Sequence, residues 1–127
     1  ELEQLKQMHA LKTGALIEAS VLMGALGTHK ADSEQLSALK EFARAIGLAF
    51  QIQDDILDVE SSTEQLGKLQ GSDSANGKST YTSILGIEAA RSQASELYHH
   101  SMSCLEPFGE RAKSLRSLAS FIVNRAY

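Results

Sequence analysis

Cysteine, proline and tryptophan are almost missing from these 127 residues: one Cys, one Pro and no Trp. The single thiol, Cys104, excludes an intramolecular disulfide, so a reducing compartment and a cytoplasmic location are expected. With Pro107 the sole proline and Ala, Leu, Ser, Glu and Lys abundant, the chain reads as all-α. Basic charge is also scarce. The formal net charge is −4 and no basic stripe runs along any segment, which argues against a nucleic-acid surface. No signal peptide is visible and no apolar run reaches bilayer length, so stable membrane insertion is not expected. The length suits one compact domain with a modest core. The chain opens on Glu1 rather than Met, already in helical pattern, and is expected to be a piece of something longer.

What is present is concentrated in five residues, Asp54-Asp55-Ile56-Leu57-Asp58. Three carboxylates fall at i, i+1 and i+4 inside an apolar stretch that runs from Ile46 to Val59. On a helix, Asp54 and Asp58 lie one turn apart, Asp55 adjoins Asp58, and Gln51 joins the stripe one turn earlier. Like charges so close oppose helix formation unless a cation occupies them or water solvates them fully. The flanking Leu48, Phe50, Ile52, Ile56, Leu57 and Val59 make a fully solvated face a poor fit, although three aspartates without context would suit one.

The rest of the chain divides around this stripe. Leu2 to about Leu11 reads as a short helix, followed by Lys12-Thr13-Gly14 and an almost wholly apolar helix, Ala15 to Leu26, expected to be buried. Asp32 or Ser33 can cap a long helix reaching about Glu60, with Gly47 marking a close approach to a neighbour or ligand. Residues 61–80 hold three glycines and many small polar residues and read as a loop of functional length, expected to order around ligand. Thr82–Gly86 reads as a helical turn. Ile87–Leu105 follows as an amphipathic helix with Ala90, Ala94, Leu97, Met102 and Leu105 inward. After the Pro107-Phe-Gly109 break, Lys113–Ala126 is a last helix with Leu115, Leu118, Phe121 and Ile122 inward.

Mg²⁺ takes octahedral oxygen ligands and is typically held by one or two carboxylates together with substrate phosphates. The aspartate stripe suits that task. It lacks the alternating ligands of an EF-hand loop and the Cys and His that structural zinc requires. The four histidines share no ligand spacing with one another or with Cys104. Lys68 and Lys78 each follow a glycine, and Lys12 precedes the apolar helix. Lysine is a flexible point charge suited to phosphate, and the preceding glycine lets backbone approach an anion. An acidic stripe beside scattered lysines points to a diphosphate bridged by Mg²⁺. Each feature has a plainer counterpart: Lys12 as a surface lysine, Gln51 as a satisfied core amide, Tyr81 and Tyr98 as packing.

Taken together, Lys12-Thr13-Gly14-Ala15-Leu16-Ile17, the run Gly47 to Asp58, Leu66-Gly-Lys68, Asp73 and Gly77-Lys-Ser-Thr-Tyr81 resemble the trans-isoprenyl diphosphate synthases, and among them bacterial farnesyl or geranyl diphosphate synthases. The resemblance covers the whole chain in order. It implies an all-α isoprenoid synthase fold and a prenyl transfer that joins an allylic diphosphate to isopentenyl diphosphate with release of diphosphate. It further implies Mg²⁺ as cofactor and a homodimer as assembly. By the same resemblance Asp54, Asp55 and Asp58 are the metal residues of the second aspartate-rich motif, with Asp73 a further acidic residue. Lys12, Lys68, Lys78 and Arg125 bind the substrate diphosphate, and Lys12, Thr13 and Gln51 stand beside the reacting allylic carbon.

The family's first aspartate-rich motif and its isopentenyl diphosphate residues are not in this sequence. The chain is therefore expected to be the C-terminal portion of one domain, partnered by a missing N-terminal portion and inactive alone. Two other readings remain: a non-catalytic homologous subunit, which would be expected to lose its aspartates and lysines, and a terpene cyclase of related fold, whose second metal motif usually carries Asn, Ser and Glu.

Overall fold

The computed structural model describes residues 1–64 and 79–125. Helices make up nearly all of them, with no strand among the described residues. In chain order they are α1 (Leu2–His9), a π turn (Ala10–Gly14), α2 (Ala15–Gly27), α3 (Ser33–Glu64), α4 (Tyr81–Leu85), α5 (Ile87–Leu105), a 3₁₀ turn (Glu106–Ala112) and α6 (Lys113–Asn124).

α3 is the axis. Its 32 residues begin at a reciprocal cap: Asp32 Oδ1 accepts from the Gln35 N–H at 2.8 Å, and Gln35 Oε1 accepts from the Asp32 N–H at 3.0 Å. Leu39, Phe42, Ile46 and Ala49 then recur every three or four residues and pack with Leu105, Ala112 and Ala119 from the later elements. Farther along, Ile52 and Ile56 pack with Leu5, Tyr81, Ala90 and Ala94. Two clusters thus share one helix. The expected inward positions of α5 hold, with Ala90, Ala94 and Leu105 buried and Leu97 and Met102 packed against them.

Several expectations are corrected. α1, the π turn and α2 form one unbroken run, because His9, Ala10, Gly14 and Ala15 all keep right-handed helical backbone. Lys12-Thr13-Gly14 is a bulge within a helix rather than a break between two. Joined, the 26 residues Leu2–Gly27 contain a window of mean hydropathy 1.3, long and apolar enough by length and composition to cross a membrane. The helix nevertheless uses that apolarity on α3: Ile17, Val21 and Ala25 pack into the first cluster, and Glu18 pairs with Arg44 at 3.0 Å and Lys40 at 3.7 Å.

α2 contains no buried residue, although its composition promised a core helix. Its outward side leaves Leu16 and Met23 each 72% exposed. In α6, Leu118 and Phe121 are exposed rather than inward, because the inward stripe runs through Leu115, Ala119, Ile122 and Val123. α3 continues to Glu64, four residues beyond the expected end.

Gly47 sits where α3 meets the π turn. A Cβ there would rest 3.4 Å from the Gly14 Cα and 3.5 Å from the Ile17 Cδ1, contact without room for more. Gly47→Ala is expected to be neutral or to stabilise by up to about 1 kcal/mol through helix propensity. Gly47→Leu is expected to cost about 1–3 kcal/mol by forcing the helices apart. Chemical denaturation of both variants beside the parent protein checks the pair; equal destabilisation by Ala and Leu would contradict the contact. Asp32→Ala, which removes the cap, is expected to cost about 1 kcal/mol in the same measurement.

Candidate active site

One face of α1 and the π turn, residues spaced three and four apart from Glu1 to Lys12, forms a wall opposite the polar face of α3. Between them lies a cleft of about 460 Å³. Lys12 comes to it from the π turn, Gln51, Asp54 and Asp55 from α3, and Ser79 and Thr80 from the segment that leads into α4. A π turn adds one residue to the helical path and is a common device at functional sites. Here it carries the only lysine that lines the cleft among the described residues.

The aspartates do not act alike. Asp54 is exposed at the rim, where Oδ1 accepts from Arg125 Nη2 at 2.9 Å. Arg125 also donates to the Phe50 carbonyl at 3.4 Å, and its guanidinium stands 4.4 Å over the Phe50 ring. Asp55 is buried. Its Oδ2 accepts from the Tyr81 N–H at 2.9 Å and lies 3.9 Å from His9 Nε2. Asp58 is half-buried one turn on and does not line the cleft. No group of three His, Cys, Asp or Glu side chains converges in a metal-binding arrangement among the described residues.

Tyr81 closes the floor. It is fully buried, its ring stacks on His9 with centroids 5.8 Å apart, and its hydroxyl finds no hydrogen-bond partner among the described residues. Burial first, then the Asp55 and Glu3 carboxylates, push its phenol up to about 12. Thr80 precedes it as an N-cap: Thr80 Oγ1 accepts from the Ser83 N–H at 3.1 Å and the Thr80 N–H donates to Ser83 Oγ at 2.9 Å.

The structure therefore brings together Lys12, Gln51, Asp54 and Asp55, with Arg125 on Asp54. Thr13, on the same turn as Lys12, is half-buried and outside the lining. Lys68, Asp73 and Lys78 lie outside the described residues. His9 gave no sequence signal, and Thr80 stood within the Gly77–Tyr81 motif with no role of its own. His9 meets Asp55 from 46 positions away, a proximity no local pattern encodes.

Comparison with known proteins matches the chain to one family. The polyprenyl synthetase family model matches residues 1–118. The farnesyl diphosphate synthase of Escherichia coli K12 is 44% identical over 127 residues, which cover 98% of this chain and 42% of that protein. The dimethylallyltranstransferase of Fischerella ambigua is 47% identical, over 100% of this chain and 36% of its own length. A crystal structure of an FPP/GFPP synthase from Zymomonas mobilis superposes with a TM-score of 0.81 at 39% identity, covering 97% of this chain and 39% of that one. The chain thus spans roughly two fifths of the relatives it matches. It belongs to the polyprenyl synthetase family, whose solved members share its all-α fold.

The floor of the cleft can be read by titration. The Tyr81 phenol keeps its proton in the folded protein up to about pH 12, whereas an unfolded tyrosine loses it near the ordinary value of 10.0. Its contribution to stability is fully present below about pH 10 and is lost as pH rises toward 12. Tyrosinate absorbance is expected to show one late-ionising group, and Tyr81→Phe to remove that late step. A parent protein whose tyrosines all ionise near 10 would refute the buried floor.

Proposed function

We propose that this member of the polyprenyl synthetase family works in an enzyme that condenses an allylic diphosphate with isopentenyl diphosphate, of the farnesyl or geranyl diphosphate synthase type. The observation that carries this reading is the convergence of Lys12, Gln51 and Asp54 on one cleft from two different helices. A phosphate-binding cation then stands beside oxygen ligands, with an aliphatic helix face behind them.

The donors fit Mg²⁺. Asp54 would hold the ion through a hard carboxylate oxygen, and fewer than three carboxylates converge among the described residues, so water and diphosphate would complete its shell. When bound, Mg²⁺ supplies charge neutralisation that makes the diphosphate a better leaving group. Asp54 would hold the ion, and Asp58, one turn on and outside the cleft lining, would reach it through water. Lys12 binds a diphosphate oxygen as a point charge. Lys68 and Lys78 bind it from the connection between α3 and α4. Gln51 turns its amide oxygen, and Thr13 its hydroxyl, toward the allylic carbon as positive charge develops there. Arg125, tied to Asp54, keeps that carboxylate oriented and offers a second cation to the departing diphosphate.

One wall of such a site is made by this chain, and the outward apolar side of α2 marks where further helices pack. Leu16, Met23 and Leu26 are exposed on α2, apolar surface of the kind that seeks a partner. Helices of the same fold, carrying the first aspartate-rich motif, cover it and complete the cleft. The enzyme acts in the cytoplasm as a homodimer.

Two experiments test this. In the full-length enzyme, Asp54→Ala is expected to lower turnover at least about a hundredfold with unchanged helical circular dichroism. Near-normal turnover would remove the metal reading. Residues 1–127 expressed alone are expected to self-associate and to show no prenyl transfer from an allylic diphosphate to isopentenyl diphosphate. A soluble monomer with measurable turnover would refute the need for covering helices.

A further inference from the structure

The three aspartates of the stripe share a motif but not a situation. Asp54 faces the open rim, whereas Asp55 points into the protein and spends Oδ2 on the Tyr81 backbone N–H at 2.9 Å. The same oxygen lies 3.9 Å from His9 Nε2, and the His9 ring in turn stacks on Tyr81. One buried carboxylate therefore joins α1, α3 and the start of α4. These contacts are separated by 26 and 46 residues along the chain, so the tie is tertiary.

We propose that Asp55 is a positioning residue rather than a metal ligand: it anchors the start of α4 to α3 and thereby sets the Ser79–Thr80 rim of the cleft opposite Lys12 and Asp54. This inference rests on the functional reading above for what the cleft binds. The geometry supports it in three ways. The anchored group is a backbone N–H, so the contact fixes main-chain position whatever side chain stands at 81. The anchor lies one residue from Thr80, whose cap with Ser83 makes α4 rigid from its first turn. Asp55 is buried at 6% exposure whereas Asp54 stands exposed at the rim, so Asp54 is the carboxylate that a cation there meets.

Substitution separates the two roles, because asparagine can accept the Tyr81 N–H through its amide oxygen but is a poor cation ligand. Asp55→Ala in the full-length enzyme is expected to speed hydrogen exchange at the Tyr81 amide by about tenfold or more, the loss of one charge-assisted bond. Asp55→Asn is expected to restore protection at that amide and keep turnover within about fivefold of the parent, since a neutral bond replaces a charged one. Binding of Mg²⁺ with inorganic diphosphate, measured by calorimetry, is expected to match the parent in Asp55→Asn and to weaken at least about tenfold in Asp54→Asn. Asp55→Leu, which keeps the branching at Cγ but accepts no hydrogen bond, replaces the alanine variant should that one fail to fold.

Two results would overturn the proposal: unchanged Tyr81 exchange without the carboxylate, or Mg²⁺–diphosphate binding in Asp55→Asn weakened as much as in Asp54→Asn. A parent enzyme that neither binds Mg²⁺–diphosphate nor transfers a prenyl group would sink the functional reading instead. The exchange measurements would still decide the anchor.

Discussion

The close approach of two glycines governs the geometry of this protein. Gly14, ending the π turn, and Gly47, inside α3, bring two helical backbones into contact, with room at 47 for no more than a methyl group. Everything polar in the cleft depends on that distance. Lys12 lies two residues before Gly14, and Gln51 lies one turn after Gly47, so the contact brings a cation and an amide to opposite walls of one space. Above the contact, Ile17, Val21 and Ala25 continue the seam into the main core. Below it, Leu5 joins Ile52 and Ile56. The apolar seam and the polar cleft are two stretches of the same helix pair.

Electrostatics then decide how a helix can carry three aspartates in one stripe. Left alone, they would repel one another. The fold separates them instead. Asp54 meets a guanidinium that arrives from the far end of α6 and is held flat on Phe50. Asp55 turns inward to a backbone N–H and a histidine. A strip of like charge becomes two different environments, one exposed at the rim and one buried. The cost of burying Asp55 is offset by a charge-assisted bond in a poorly solvated place, where such bonds are strongest.

The apolar helix α2 shows the limit of composition as a guide to burial. Its residues are apolar on nearly all sides, yet only the side toward α3 is covered here. Leu16 and Met23, two turns apart on one face, are left out. Hydropathy reports that a surface avoids water; it does not say which partner removes it. A membrane, a second copy or further helices of the same fold would satisfy the same pattern. The salt bridges of Glu18 to Arg44 and Lys40 orient the helix on α3 and leave its opposite side exposed among the described residues.

The all-α class, the long helix after Asp32, the inward stripe of α5 and the candidate residues Lys12, Gln51 and Asp54 were legible in the chain itself. Periodicity, capping residues and charge spacing are local, and these features are local. Three matters were settled only in three dimensions. Lys12-Thr13-Gly14 is continuous helix, a bulge packed on α3 where sequence suggested a break. Leu118 and Phe121 face outward because the small Ala119 takes the buried place against α3 and α5. The division of labour among the aspartates follows from residues 26, 46 and 71 positions distant that fold onto them. Sequence determines which residues can hold a cation or a phosphate, since that is a property of side-chain chemistry. Which carboxylate stays open to ligand and which is consumed by the fold depends on long-range contacts, and those exist only once the helices have packed.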